Sequence, residues 1–96
     1  MSIFLSGFLF AQGGTISGKI TDKDNGKPLM AANVMVSGDA LKSMTGSATD
    51  AEGRYTVPNL PSGQYTLKVN YMGYEQIKKE VTIDAGQKLV VDFQLL

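Results

Sequence analysis

The 96-residue chain has no cysteine, no histidine and no tryptophan. Without cysteine and histidine, the tetrahedral sites that hold zinc and the thiolate cages of iron–sulfur clusters have no ligands. Ser-His-Asp and Cys-His nucleophile systems are excluded for the same reason. No disulfide can cross-link the fold, so burial must hold it alone. The cysteine through which lipoproteins are acylated is missing as well. Excess charge is also absent, because nine Lys plus Arg balance nine Asp plus Glu. Nucleic-acid binding draws on a basic face and membrane-surface attachment on a polybasic cluster, and a neutral chain favours neither. The densest cationic spot, Lys78 and Lys79, is flanked by Glu75 and Glu80 and reads as a solvated strand face.

Residues 1–12, MSIFLSGFLFAQ, hold three of the four phenylalanines. Ile3 to Ala11 is apolar apart from Ser6 and Gly7, and is too short to span a bilayer as a helix. It reads as the apolar region of a secretory signal, with Ala11 as the small residue before cleavage. Two features depart from that pattern. No Lys or Arg precedes the apolar run, and Leu9 occupies a position that prefers a smaller residue. An added apolar strand and a membrane anchor are the other readings. The expected division is a signal peptide over 1–12 and one β domain over 13–96, working outside the cytoplasm.

From Thr15 onward, short alternating segments are separated by turn residues, the pattern of half-buried strands. TISGKIT puts Ile16, Gly18 and Ile20 on one face, and NVMVS puts Val34 and Val36 inward with Met35 outward. DALKSM reads as an irregular loop and TGSAT as a weak strand of small residues, suited to an edge. RYTV aligns Tyr55 with Val57. Pro58 and Pro61 lack the N–H a ladder needs, so the chain is expected to leave the sheet there, with Leu60 plugging the core. YTLKVNY alternates Tyr65, Leu67, Val69 and Tyr71 against Thr66, Lys68 and Asn70. In YEQIKKEVTI, Lys79 shares the parity of Ile77, Val81 and Ile83, which a bulge, an edge position or a snorkelling stem would accommodate. LVVDFQLL aligns Leu89, Val91, Phe93 and Leu95. The expectation is an all-β fold of about seven strands, a β-sandwich or a small barrel, with too little core to enclose a sizeable ligand pocket as well.

Candidate sites are few. DKDNG supplies Asp22, Asp24 and Asn25, but a calcium loop needs Gly at its sixth position and Glu at its twelfth. Here Gly26 comes one residue early and Asn33 stands twelfth, so the segment reads as a turn. Asp50 and Glu52 are paired carboxylates, yet both lie in one hairpin turn, where Asp50 is better placed to accept turn amides than to face a substrate. Tyr55, Tyr65 and Tyr71 have core parity and only Tyr74, beside Gly73, is expected to be semi-exposed, so the tyrosines read as core packing with hydroxyls reaching the rim, against the alternative of stacking sugars or peptides. An isopeptide cross-link would need an inward lysine on the first strand, and Lys19 has outward parity. No catalytic, metal-binding or cofactor-binding residue is assigned.

These residues bear a resemblance. GTISGKITDKDNGKPLMAANVMVSG and GSATDAEGRYTVPNLPSGQYTLKVNYMGYE resemble the carboxypeptidase D regulatory-like domain. The shared pattern is Gly18 and Ile20, Thr21 to Leu29, Ala32 to Val34, Thr49 to Tyr55, Leu60 to Leu67, and Gly73 with Tyr74. One residue more than the usual spacing occurs in DKDNGKPL. The resemblance covers Gly14 to Leu96 and implies an all-β, antiparallel Greek-key sandwich of about seven strands, transthyretin-like (prealbumin-like) and without catalysis. It implies an accessory module, set at the N-terminus of a TonB-dependent outer-membrane receptor or beside a metallocarboxypeptidase domain. Transthyretin-like hydrolases depend on histidines, which this chain lacks. The functional expectation is an interaction module of the Gram-negative envelope, exported to the periplasm or outer membrane. Its partner would be an envelope protein, and it would meet the membrane only through a downstream barrel or, transiently, through the signal segment. The alternative is a glycan- or peptide-binding module of a secreted enzyme such as a carboxypeptidase, using Tyr74. Neither reading calls for a cofactor or nucleic acid.

Overall fold

The computed structural model describes residues 13–41 and 43–96; the expected signal segment, residues 1–12, lies outside them. The described chain is all-β. Its strands are β1 (Gly14–Asp22), β2 (Asn33–Ser37), β3 (Thr45–Ala48), β4 (Arg54–Leu60), β5 (Gly63–Asn70), β6 (Ile77–Ile83), β7 (Lys88–Val90) and β8 (Phe93–Leu95). One sheet runs β4-β1-β7 with β8 also on β1, and the other runs β3-β2-β5-β6. Their facing sides meet in a single core that includes Ile16, Ile20, Val34, Val36, Leu67 and Val69. These are the alternate residues that the sequence pattern placed inward, because a strand turns successive side chains to opposite faces. Met35 is half-buried and Lys19 exposed on the outer faces.

Three details depart from the sequence reading. First, the chain does not leave the sheet at Pro58. β4 continues to Leu60, which pairs with Gly14, while Val57 pairs with Ile16. Three steps on β4 therefore oppose two on β1, a bulge that carries Pro58 and Asn59, the latter at φ 63°. β4 is an edge strand, so the missing N–H of Pro58 breaks no bond on the outer side. The chain departs only at Pro61, and Leu60 enters the core as expected at 1% exposure.

Second, the last segment is two strands, which makes eight among the described residues. Third, both of those strands run parallel to β1, with Ile16 opposite Leu89 and Ile20 opposite Phe93, while the other pairings are antiparallel. The break falls where the ladder jogs. The Val91 N–H donates to the Ser17 carbonyl at 2.7 Å, and the Lys19 N–H donates to the Asp92 carboxylate at 2.8 Å, a side chain standing in for a backbone acceptor. Gly18 lies between those two bonds. A Cβ there would sit 1.8 Å from the Val91 carbonyl oxygen, so only glycine lets the strands close. Tyr55, the cross-strand partner of Gly18, covers the gap and donates its hydroxyl to the same carbonyl at 2.6 Å.

Candidate functional site

The motif residues that distinguish this sequence hold its turns. Asp22 ends β1, and its carboxylate accepts the N–H groups of Asp24 and Asn25 at 2.7 and 3.2 Å and the Tyr74 hydroxyl at 2.5 Å. Gly26, at φ 74°, closes that turn by donating to the Asp22 carbonyl. Asp50 accepts the Glu52 and Arg54 N–H groups, both at 2.9 Å, so its carboxylate is occupied within the hairpin as expected. Thr49 is buried. Its hydroxyl accepts from the Ala32 N–H at 2.9 Å and donates to the Leu29 carbonyl, fastening the 29–32 segment to the start of that hairpin. The Tyr65 hydroxyl reaches back to the Pro61 carbonyl. Among the described residues, every buried side-chain nitrogen or oxygen has a hydrogen-bond partner.

Tyr74 is half-buried, and its ring meets Tyr71 edge-on at 5.4 Å between centroids. Tyr71 lies just beyond β5 and is itself half-buried, rather than continuing that strand's buried face. The hydroxyl of Tyr74 is already given to Asp22, so the tyrosine singled out for ligand binding serves as a strut between the β5–β6 connection and the end of β1.

Electrostatics follow these bonds. The Tyr74 hydroxyl, followed by the two turn amides, holds the Asp22 carboxyl below its ordinary value of 3.8, and the amides of Arg54 and Glu52 do the same for Asp50. Burial, aided by Asp92, pushes the Tyr55 hydroxyl far above its usual range. A carboxylate whose folded pKa is lowered stabilises the native state above its unfolded pKa, and that contribution fades as pH falls through the folded value. Thermal stability should therefore hold from neutrality down to the ordinary carboxylate range and drop below it. Melts between neutral and strongly acidic pH on wild type and Asp22→Asn test this. The variant should show a shallower acid loss, and an unchanged profile would mean that Asp22 does not sense folding.

The described surface carries open grooves. One, of about 450 Å³, lies between Asp39, Gln64, Glu80 and Thr82. Another, of about 720 Å³, lies among Met30, Ala31, Asn33 and Met72, where Met30 is 58% and Met72 92% exposed. A third, of about 590 Å³, brings Lys19 of β1 and Lys23 of the turn after it beside Lys78 and Lys79 of β6. The sequence reading took Lys78 and Lys79 alone and did not bring them together with Lys19 and Lys23. Its one pointer was the inward parity of Lys79, which the structure resolves as an edge position on β6. Among the described residues, no three His, Cys, Asp or Glu side chains converge as a metal site.

Comparison with known proteins agrees with this architecture. Residues 15–96 match the carboxypeptidase regulatory-like domain, and the chain belongs to that family. It is 37% identical over 59 residues to the TonB-dependent transporter Oar of Myxococcus xanthus, covering 62% of this chain and 6% of the transporter. It is 26% identical over 93 residues to the TonB-dependent receptor P3 of Formosa agariphila, covering 97% of this chain and 9% of the receptor. The chain thus spans less than about a tenth of the length of these curated relatives. Among solved structures, the 5-hydroxyisourate hydrolase of Klebsiella pneumoniae superposes with a TM-score of 0.62 at 21% identity, over 81% of this chain and 85% of the hydrolase. That likeness concerns the sandwich fold alone.

Proposed function

We propose that this chain is a non-catalytic interaction module of the Gram-negative envelope, built as the N-terminal extension of a TonB-dependent outer-membrane receptor. In this reading residues 1–12 direct export, and the domain reaches the periplasm or outer membrane. The likeness to two TonB-dependent proteins supports the setting. The observation that carries the role is the employment of the motif side chains. Asp22, Thr49, Asp50, Tyr55, Tyr65 and Tyr74 all bond to the chain's own turns and strands, which leaves strand edges and loops to face a partner. A sheet edge recognises a partner through main-chain bonds and needs no special side chain.

The test is deletion of residues 14–96 from the full reading frame. The receptor should still assemble in the outer membrane, while uptake and cross-linking of an envelope protein to the domain are lost. Wild-type uptake by the deletion variant would overturn the reading. So would a hydrolase activity that follows the purified domain.

A further inference from the structure

The lysine groove lies between two strands that each have a free side. β6 pairs only with β5, and β8 only with β1. Every second residue of such an edge strand points its N–H and C=O away from its one neighbour. Ile77 and Phe93 give the groove an apolar part, and Lys19, Lys23, Lys78 and Lys79 surround it. The one carboxylate among its lining residues, Asp92, already accepts the Lys19 N–H at 2.8 Å. A second observation points the same way. Lys68 on β5 stands directly opposite Lys78 on β6, and like charges at such a pair repel. Among the described residues the one ion pair within 4.0 Å, Arg54 with Glu52, belongs to the opposite edge of the other sheet, so none of these lysines has a carboxylate that close. A chain of zero net charge therefore gathers four lysines around one open groove whose lining holds a single carboxylate.

We propose that this groove receives an extended acidic segment of a partner protein, which adds to the β6 edge as a strand and sets its carboxylates among the lysines. The proposal deepens the interaction-module reading and rests on it. Lysines on an edge strand repel an identical edge, so a second copy of this chain is a poor occupant. Phe93 is only 5% exposed and offers no stacking platform, which disfavours a glycan. Acidic residues at alternate positions of an added strand share one face, about 7 Å apart, and those on either face meet the β6 lysine of that face while the backbone pairs.

The probe is a ten-residue peptide alternating glutamate with threonine. Its controls are the same peptide with two threonines replaced by proline, a version with lysine for glutamate, and an oligogalacturonate. Amide shifts and hydrogen exchange of the domain are the readouts. The glutamate peptide should shift the amides of residues 77–83 and slow exchange of those facing away from β5. The proline and lysine peptides should do neither. Lys78→Glu with Lys79→Glu should weaken binding at least about tenfold, because the face of β6 that meets the peptide's carboxylates turns from attractive to repulsive whichever way the peptide docks. Lys78→Glu alone places a carboxylate opposite Lys68, so the melting temperature should hold or rise while binding falls, which separates lost affinity from lost folding. Two results would overturn the proposal: no shift at millimolar glutamate peptide, or equal binding of the proline peptide or the oligogalacturonate without slowed β6 exchange. In the full receptor, an envelope cross-link that survives the double substitution removes the groove assignment and leaves the module reading standing. The absence of any cross-link, in wild type as in the variant, removes the module reading itself.

Discussion

Gly18→Ala is expected to destabilise the domain by about 3 kcal/mol or more, among the largest effects of any single methyl group in the chain. The added carbon would stand 1.8 Å from the Val91 carbonyl oxygen and 3.0 Å from a ring carbon of Tyr55. Backbone cannot yield by a side-chain rotation, so the junction between β7 and β8 must move away from β1. That movement lengthens the Val91 N–H bond to Ser17, the Asp92 bond to the Lys19 N–H, and the Tyr55 hydroxyl bond to Val91. A domain of this size has a stability of about 4–12 kcal/mol, so the variant retains little margin. Its melting temperature should fall by more than about 12 °C at 4–8 °C per kcal/mol. Gly26→Ala provides the contrast: at φ 74° and with nothing within 4 Å of its added carbon, it carries only the cost of a left-handed backbone. That cost is about 1–2 kcal/mol. Equal melting of the two variants would mean that the Val91 carbonyl does not lie over Gly18.

Thr49→Val should cost about 2–4 kcal/mol, although it changes the side chain's shape very little. The lost hydroxyl serves two buried main-chain groups, the Ala32 N–H and the Leu29 carbonyl. Each is left without a partner in a place water does not reach, at about 1–3 kcal/mol apiece, while the added methyl recovers part of that. Thr49→Ser keeps both bonds and should recover most of the stability. Urea unfolding of the three proteins separates the outcomes. The valine midpoint should fall by about 2 M or more, given a denaturant slope near 1 kcal/mol/M for a small domain. A serine variant as weak as the valine variant would assign the effect to packing instead of the hydroxyl.

Local sequence pattern was enough to locate most strands, because each alternation is completed within a few residues. Val34 and Val36, or Leu67 and Val69, show their inward face without knowledge of any partner strand. Turns held by their own first residue were equally legible, as Asp50 and Asp22 demonstrate. What escaped depends on residues far apart in the chain. The bulge at Pro58 and Asn59 exists because Gly14 pairs with Leu60, and no rule local to Val57–Pro61 reports that register. The break before Phe93 and the parallel pairing with β1 join segments more than 70 residues apart, such as Lys19 and Asp92. The lysine groove was hidden twice over. Its two halves are distant in sequence, and each lysine pair has acids close by in the chain, so every local count looks neutral. Tyr74 is half-buried, as its place beside Gly73 suggested, but its bond to Asp22 spans 52 residues and escaped a local reading.

The parallel course of β1 and β7–β8 has a mechanical consequence. Thr15 faces Lys88 at one end of the seam and Asp22 faces Leu95 at the other, so the chain enters the sheet at one pole and leaves it at the opposite pole. Tension applied between residues 14 and 95 would slide these strands lengthwise instead of peeling them apart. The bonds across the seam would then share the load simultaneously, and rupture would require them to fail together. Gly18 sits at the middle of that seam, so the methyl group that weakens folding should also lower the force at which the sandwich yields.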